Sequence, residues 1–458
     1  MRNPIFLLLT VLLCTPVVTA QNLKRRPFLG VQVAPLTDSV AAAKNVPSAK
    51  GAIVMAVIPN STAASLKLQP QDVLVSINGK EVTNAQEVVA TAKAFTADEK
   101  VSINLYRNGK RMQVKGKVKP MPYETDPKAD VIYDEVALEN NGYARAIMKK
   151  PKGKGRFPAV FFIQGFSCYS LDNMPEHDTQ RRLIDGLVAK GYAVFRMEKP
   201  GMGDAKGTKP CAEIGYNEEL AAFAAGLKKL KTYDFVDKDN VFLFGHSLGA
   251  TTAPLIAMEN KVKGIITYGS TGKPWLEYMI ELGREQRPIA GIDYVQVDED
   301  MKTSLPMLYE LMVLKKTPQQ LAENPKYKAY LEQNYEYDGK GHLFGRHYTY
   351  LQELHDVPVN RAWKEANAYT LSLFGEADVQ AIDEDGAKII ADVVNSYYPG
   401  KAEYKLVPRT DHTFAESGTQ KEYLRMQNEG TYDAFAATHF NQKLVDMLDE
   451  WMKDKLKR

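Results

Sequence analysis

Two kinds of hydrophobic pattern divide the chain. In the larger part, short apolar runs bounded by turn residues read as buried strands: Pro158-Ala-Val-Phe-Phe-Ile, Gly191-Tyr-Ala-Val-Phe-Arg, Val241-Phe-Leu-Phe, Gly264-Ile-Ile-Thr-Tyr, Tyr369-Thr-Leu-Ser-Leu-Phe and Tyr404-Lys-Leu-Val. Helical patterns separate them, among them the buried helix Ala250-Thr-Thr-Ala-Pro-Leu-Ile-Ala-Met. Near the start the elements are shorter. Strands are predicted from Phe28 and over Ala52–Ile58, and Asp72–Ile77 runs into the tight turn Asn78-Gly79. A helix from Asn84 to Ala94 and a hairpin from Val101 complete that unit. A proline-marked linker, Lys119-Pro-Met-Pro-Tyr-Glu-Thr-Asp-Pro, separates the two parts.

Arg2, the apolar stretch Ile5–Leu13 and the small residues Val18-Thr19-Ala20 have the layout of an export signal cut before Gln21. The apolar stretch is too short to span a bilayer, so the mature protein is expected to be periplasmic or extracellular, without stable membrane insertion. Cys14 follows Leu13, which is too large for ordinary lipid attachment. A length of 458 residues calls for more than one domain. The net charge of +3 argues against a nucleic-acid partner. Lysines in Lys149-Lys-Pro-Lys-Gly-Lys read as solvated turns.

Chemistry concentrates where the run Val241-Phe-Leu-Phe meets Gly245-His-Ser247-Leu-Gly249. A strand entering Gly-x-Ser-x-Gly, with a helix after it, is a nucleophile elbow. A serine nucleophile needs a base and an orienting acid, in the chain order serine, acid, histidine. Asp378 stands at the end of the strand Tyr369–Phe374, with Glu376 and Asp383 as near alternatives. His412 follows the strand at Tyr404 and opens a loop. His246 lies inside the elbow and is expected to point away from the serine; the other five of the seven histidines lack a strand-end context. The triad reading is Ser247, Asp378 and His412. His342 and His347 lack partners at metal-ligand spacing, so neither a metal nor a cofactor is expected.

Taken together, these features over residues 131–458 resemble the α/β-hydrolase superfamily. The resemblance implies a mostly parallel sheet and an oxyanion hole built from two backbone N–H groups: Leu248, after the nucleophile, and Phe166, in the loop Gln164-Gly165-Phe166. Gln164 stands where a histidine is common, which bears on the loop's hydrogen bonding. Neighbouring strands in that fold would bring Cys168 and Cys211 together on the catalytic edge. A disulfide there closes a loop of roughly forty residues, worth about 4 kcal/mol in the chain-entropy account. The hundred residues between Gly269 and Tyr369 exceed one crossover and predict a helical cap, 272–365, with helices at Trp275–Glu285, Asp298–Lys316 and Thr317–Gln333. Its Tyr327, Tyr330, Tyr335, Tyr337, Tyr348 and Tyr350 either line the site or pack the cap.

Residues 24–120 resemble a PDZ domain of the bacterial envelope-protease type, a small mainly-β unit preceding the linker 121–130. The resemblance assigns the loop that cradles a peptide's terminal carboxylate to Leu29, Gly30 and Val31, with Arg25 and Arg26 placed to assist. The expected activity is hydrolysis of a carboxylic ester through an acyl-enzyme, with a small-molecule ester or a peptide as substrate. A serine peptidase similar to the prolyl-oligopeptidase group is the alternative. A peptide-binding adaptor with an idle hydrolase domain is the reading from a different class.

Overall fold

A computed structural model describes residues 22–457; the export signal and Cys14 lie outside the described residues. The first unit is an antiparallel sheet of β1 (Val31–Pro35), β2 (Ala52–Val57), β3 (Val73–Ile77), β4 (Lys80–Glu81), β5 (Lys100–Arg107) and β6 (Lys110–Lys117). Its order is β1-β2-β3-β5-β6, with β4 paired to β3. The outer edge of β1 is therefore open. The helix Ala85–Lys93 is capped by the Asn84 side chain, which accepts from Glu87 N–H, and it buries Val88 against Leu74, Ile77 and Ile103.

The larger unit is built on an eight-stranded sheet. Its strands are β7 (Ala129–Ala137), β8 (Tyr143–Pro151), β9 (Phe157–Ile163), β10 (Ala193–Met197), β11 (Val236–His246), β12 (Gly264–Tyr268), β15 (Tyr369–Gly375) and β16 (Ala402–Val407). A two-residue hairpin pair, β13 (His342–Leu343) and β14 (Arg346–His347), belongs to the insertion between β12 and β15. The order is β16-β15-β12-β11-β9-β10-β8-β7. Pairing is parallel from β10 to β16, while β8 lies antiparallel to both β10 and β7. Adjacent residues on one strand serve opposite cores: Phe161 and Ile163 face one, Val160 and Phe162 the other. Burial on both faces explains why these strands are unbroken apolar runs.

β7 and β8 escaped the apolar pattern because they carry charge. Lys149 on β8 is a correction to the solvated-turn reading: it is buried, with its ammonium among Asp126, Asp185 and Glu124. Three carboxylates replace the water it loses.

The insertion forms helices at Trp275–Glu281, Tyr294–Met312, Pro318–Leu321, Pro325–Asn334 and Thr349–His355. The helix Val359–Ala366 packs Val359, Trp363 and Ala366 into the sheet's own core. Tyr330, Tyr335, Tyr337 and Tyr350 join Leu311, Leu331 and Leu351 in a further cluster where the insertion meets Tyr216, Leu248 and Leu255 beneath it. No helix among the described residues is long and apolar enough to cross a membrane.

Candidate active site

Parallel register brings the carboxyl ends of β9, β11, β12, β15 and β16 to one edge. Ile163 pairs with Gly245, His246 with Tyr268, Tyr268 with Leu373, and Gly375 with Val407. The candidate residues all leave the sheet there. Ser247 has φ 55°, left-handed backbone that a non-glycine residue rarely adopts. Its N–H donates to Tyr268 O at 2.9 Å, which holds the turn in that conformation. A Cβ on Gly245 would overlap Gly249, and one on Gly249 would overlap the end of β9. The elbow thus fits only with glycine at both places.

Asp378 is fully buried and accepts from Gln380 N–H at 2.8 Å and Ala381 N–H at 2.9 Å through Oδ1. Its Oδ2 accepts from His412 Nδ1 at 2.8 Å. That bond leaves Nε2 of His412 as the free ring nitrogen. Burial disfavours the imidazolium, yet the charge and hydrogen bond of Asp378, with Asp411 behind it, raise the His412 pKa above 6.5. Burial likewise opposes ionisation of Asp378, and the His412 interaction outweighs it and lowers that pKa. Of the alternative acids, Glu376 accepts from Arg409 N–H at 2.7 Å and Asp383 from Asp385 N–H at 2.9 Å.

His246 does turn away from Ser247, and it has a partner that the sequence did not reveal. Its Nε2–H donates to His412 O at 2.8 Å. Burial first, then the neighbouring His412, pushes its pKa down to about 3, so it stays neutral. Asp411 serves the same loop: its carboxylate accepts from Thr413 N–H, Ala415 N–H and Tyr432 OH.

Ser247 and His412 line one cavity of about 570 Å³ with Phe166, Leu248, Trp275, Tyr278, Phe344 and Tyr423. Of its lining residues only Glu336 carries a fixed charge. The six tyrosines singled out above are not among them; all six pack beneath or within the insertion, four of them buried. The backbone N–H groups of Phe166 and Leu248 donate to no acceptor among the described residues. Gln164 is buried, and neither end of its carboxamide has a partner among them. Cys168 and Cys211 form a disulfide with a Cα–Cα distance of 6.0 Å. His342 does have acidic neighbours, Glu213 at 2.6 Å and Asp338 at 2.7 Å, the first from a distant loop.

A second cavity, about 610 Å³, lies between β1 and the helix Ala85–Lys93. Leu29, Gly30, Val31, Val88 and Ala92 line it from one domain, and Gly201, Met202, Gly203 and Pro210 from the other. The N–H groups of Leu29 and Gly30 donate to nothing among the described residues, while Val31 opens β1 opposite Val57. Arg25 is not part of this groove, contrary to expectation. It is buried between the domains against Asp172 at 2.7 Å and Asp204 at 2.5 Å, with its guanidinium 4.9 Å from the rings of Tyr123 and Tyr133. Two carboxylates on the larger domain attract it more strongly than an open groove can.

Residues 27–118 match the family model of the PDZ domain, and residues 158–302 that of the alpha/beta hydrolase fold. The chain therefore carries a PDZ domain followed by an α/β-hydrolase fold. Its relatives divide in the same way. A probable periplasmic serine endoprotease DegP-like from Hahella chejuensis is 30% identical over 117 residues, 26% of this chain and 25% of that protein. Esterase EstD from Thermotoga maritima is 28% identical over 160 residues, 35% of this chain and 37% of its own. The chain thus spans well under two thirds of the length of these relatives. Among solved structures, Est1E from Butyrivibrio proteoclasticus superposes with a TM-score of 0.43 at 14% identity, covering 71% of this chain and 99% of that one.

Proposed function

We propose that the protein is an exported serine hydrolase that cleaves carboxylic esters. Ser247 Oγ attacks the ester carbonyl while His412 Nε2 takes its proton and then gives it to the leaving alcohol. Asp378 holds the ring through Nδ1 and stabilises the imidazolium. The N–H groups of Phe166 and Leu248 receive the negative oxygen of the tetrahedral intermediate. Water, deprotonated by His412, then releases the acid from the acyl-serine. The observation that carries this reading is the 2.8 Å bond between His412 and buried Asp378 beside an elbow serine in the same cavity. The relative named as an esterase, EstD, supports ester over amide.

The groove beside Leu29, Gly30 and Val31 is assigned to a peptide with a free C-terminal carboxylate, adding as a strand to the open edge of β1. The DegP-like relatives, named as periplasmic, support a periplasmic or extracellular location.

The test is labelling of the purified protein with a fluorophosphonate beside Ser247→Ala, followed by turnover of a short-chain p-nitrophenyl ester and an aminoacyl anilide. Labelling that vanishes in the variant, with ester turnover, supports the esterase; anilide turnover would replace it with a peptidase. An unlabelled, folded wild type would leave the peptide-binding adaptor as the function.

A further inference from the structure

Behind the loop that carries Phe166 lies a charged cluster with no place in the reaction as written. Lys199, Glu219 and Arg346 are each no more than 2% exposed. They come from three separate segments: the turn after β10, the helix Tyr216–Leu230, and β14 of the insertion. Lys199 Nζ meets Glu219 Oε1 at 2.9 Å, and Arg346 Nη2 meets Glu219 Oε2 at 2.9 Å. Tyr350 OH donates to Glu219 at 2.9 Å, and the Arg346 guanidinium stacks 3.9 Å from the Tyr350 ring. Arg346 Nη2 also donates to Ile214 O at 3.3 Å, and three further bonds converge on one stretch of backbone. Lys199 Nζ donates to Gly165 O at 2.6 Å and to Phe166 O at 3.0 Å, and Arg346 Nη1 donates to Phe166 O at 3.0 Å.

Peptide geometry gives these bonds a consequence. Gly165 C=O and Phe166 N–H belong to one peptide plane, and no peptide among the described residues is cis. In a trans peptide the two groups point in opposite directions. Drawing the Gly165 oxygen toward Lys199 therefore turns Phe166 N–H away from Lys199. The next plane, held by two cations at Phe166 O, turns Ser167 N–H the same way. The loop lies against the nucleophile: a Cβ placed on Gly165 would come within 2.8 Å of Ser247 Cβ and 3.2 Å of its Oγ. A cation on the carbonyl also polarises the amide, which makes its N–H a stronger donor.

We propose that Lys199, Glu219 and Arg346 are positioning residues of the oxyanion hole: the two cations fix the Gly165–Phe166 and Phe166–Ser167 peptide planes with their N–H groups toward the reacting carbonyl, and Glu219 holds the cations in place. The inference rests on the serine-hydrolase reading above. It also gives the insertion a part in the reaction, because Arg346 belongs to it.

Such residues act only when charge develops on the carbonyl oxygen, so they affect kcat and not substrate binding. The experiment compares wild type, Lys199→Met and Arg346→Lys in ester hydrolysis, with active sites counted by fluorophosphonate burst and inhibition measured with an alkyl boronic acid, which forms a tetrahedral adduct. Lys199→Met is expected to lower kcat per titrated site by about 100-fold, the loss typical of one oxyanion donor. KM should stay within about threefold, and boronate affinity should weaken by a factor similar to kcat, since both depend on a tetrahedral oxyanion. Arg346→Lys keeps a cation but loses the planar fork that sets one nitrogen on Phe166 O and the other on Glu219; a fall in kcat of about tenfold at unchanged KM is expected, and this variant decides the matter if Lys199→Met does not fold. Unchanged kcat per titrated site in a folded variant, or a loss confined to KM, overturns the inference. Failure of the wild type to label at Ser247 is a different result and overturns the hydrolase reading instead.

Discussion

The ring of His246 and the backbone of His412 are joined by a 2.8 Å hydrogen bond, so the residue before the elbow serine fastens the loop that bears the second histidine. The His246 ring also packs against Phe414, with centroids 4.7 Å apart. Replacing His246 by alanine leaves the His412 carbonyl buried without its donor, a loss of about 1–3 kcal/mol. We expect His246→Ala to lower the melting temperature and to reduce kcat by about tenfold or more, since small misplacement of a base is costly. Retention of both values would show that the bond is incidental.

Gly269 lies beneath the histidine–aspartate pair with φ 68°. A Cβ there would sit 2.8 Å from two ring atoms of His412 and 2.9 Å from Asp378 Oδ2. Gly269→Ala is expected to displace the imidazole and cost at least about 100-fold in kcat/KM. A steady-state assay on folded protein checks this; activity near wild type would mean that the ring has room to move.

With His412 as the proposed base, its protonation should set the acid limb of the pH profile. The protonated ring cannot accept the Ser247 proton, so kcat/KM should rise with pH and reach half its maximum above 6.5, the direction given by Asp378 and Asp411 over the opposing effect of burial. Asp378→Asn removes the main stabilising charge. The midpoint should then move to lower pH, and kcat should fall by about 10⁴-fold, the loss known for this change in a serine–histidine–aspartate triad. An acid limb that does not move in this variant would detach Asp378 from His412.

The Cys168–Cys211 bond closes a sequence separation of 43 residues. In the chain-entropy account its removal destabilises the fold by about 4 kcal/mol. Denaturant unfolding of Cys168→Ser/Cys211→Ser, beside wild type with and without reductant, measures this. A loss below about 1 kcal/mol would show that the loops are held in register without the covalent link.

Arg25 is the buried cation between the domains, and Arg145 reaches the same Asp204 at 2.9 Å. Arg25→Met leaves Asp172 without a cation partner among the described residues and Asp204 with one fewer, which should cost about 3–5 kcal/mol. Calorimetry should then show the two domains unfolding in separate transitions. A single unshifted transition would mean that other contacts carry the interface.

What could be read from the sequence follows from how each residue is marked. Ser247, Asp378 and His412 are legible as candidates because each follows the end of a strand recognisable from its pattern, and strand ends in parallel sheets converge. Lys199, Glu219 and Arg346 carried no such mark: nothing in a pattern of polar residues distinguishes a buried ion cluster from a solvated surface. Lys149 was misread for that reason, and Arg25 because proximity in sequence to Gly30 looked like proximity in space. The insertion's tyrosines were ambiguous at helical spacing, and the lining side chains Trp275, Tyr278 and Phe344 sit where the insertion folds back over the sheet edge.

The segment from Lys199 to Cys211 has two faces, one in the groove of the PDZ domain through Met202 and Pro210, the other behind the Gly165–Cys168 loop through Lys199 and the disulfide. The two domains are consequently not interchangeable cassettes. Grafting a foreign PDZ unit onto this hydrolase, or trimming the native one away, would remove a wall from a turn that also shapes the sheet edge bearing Ser247. Any successful exchange would have to bring residues 199–211 along with the graft.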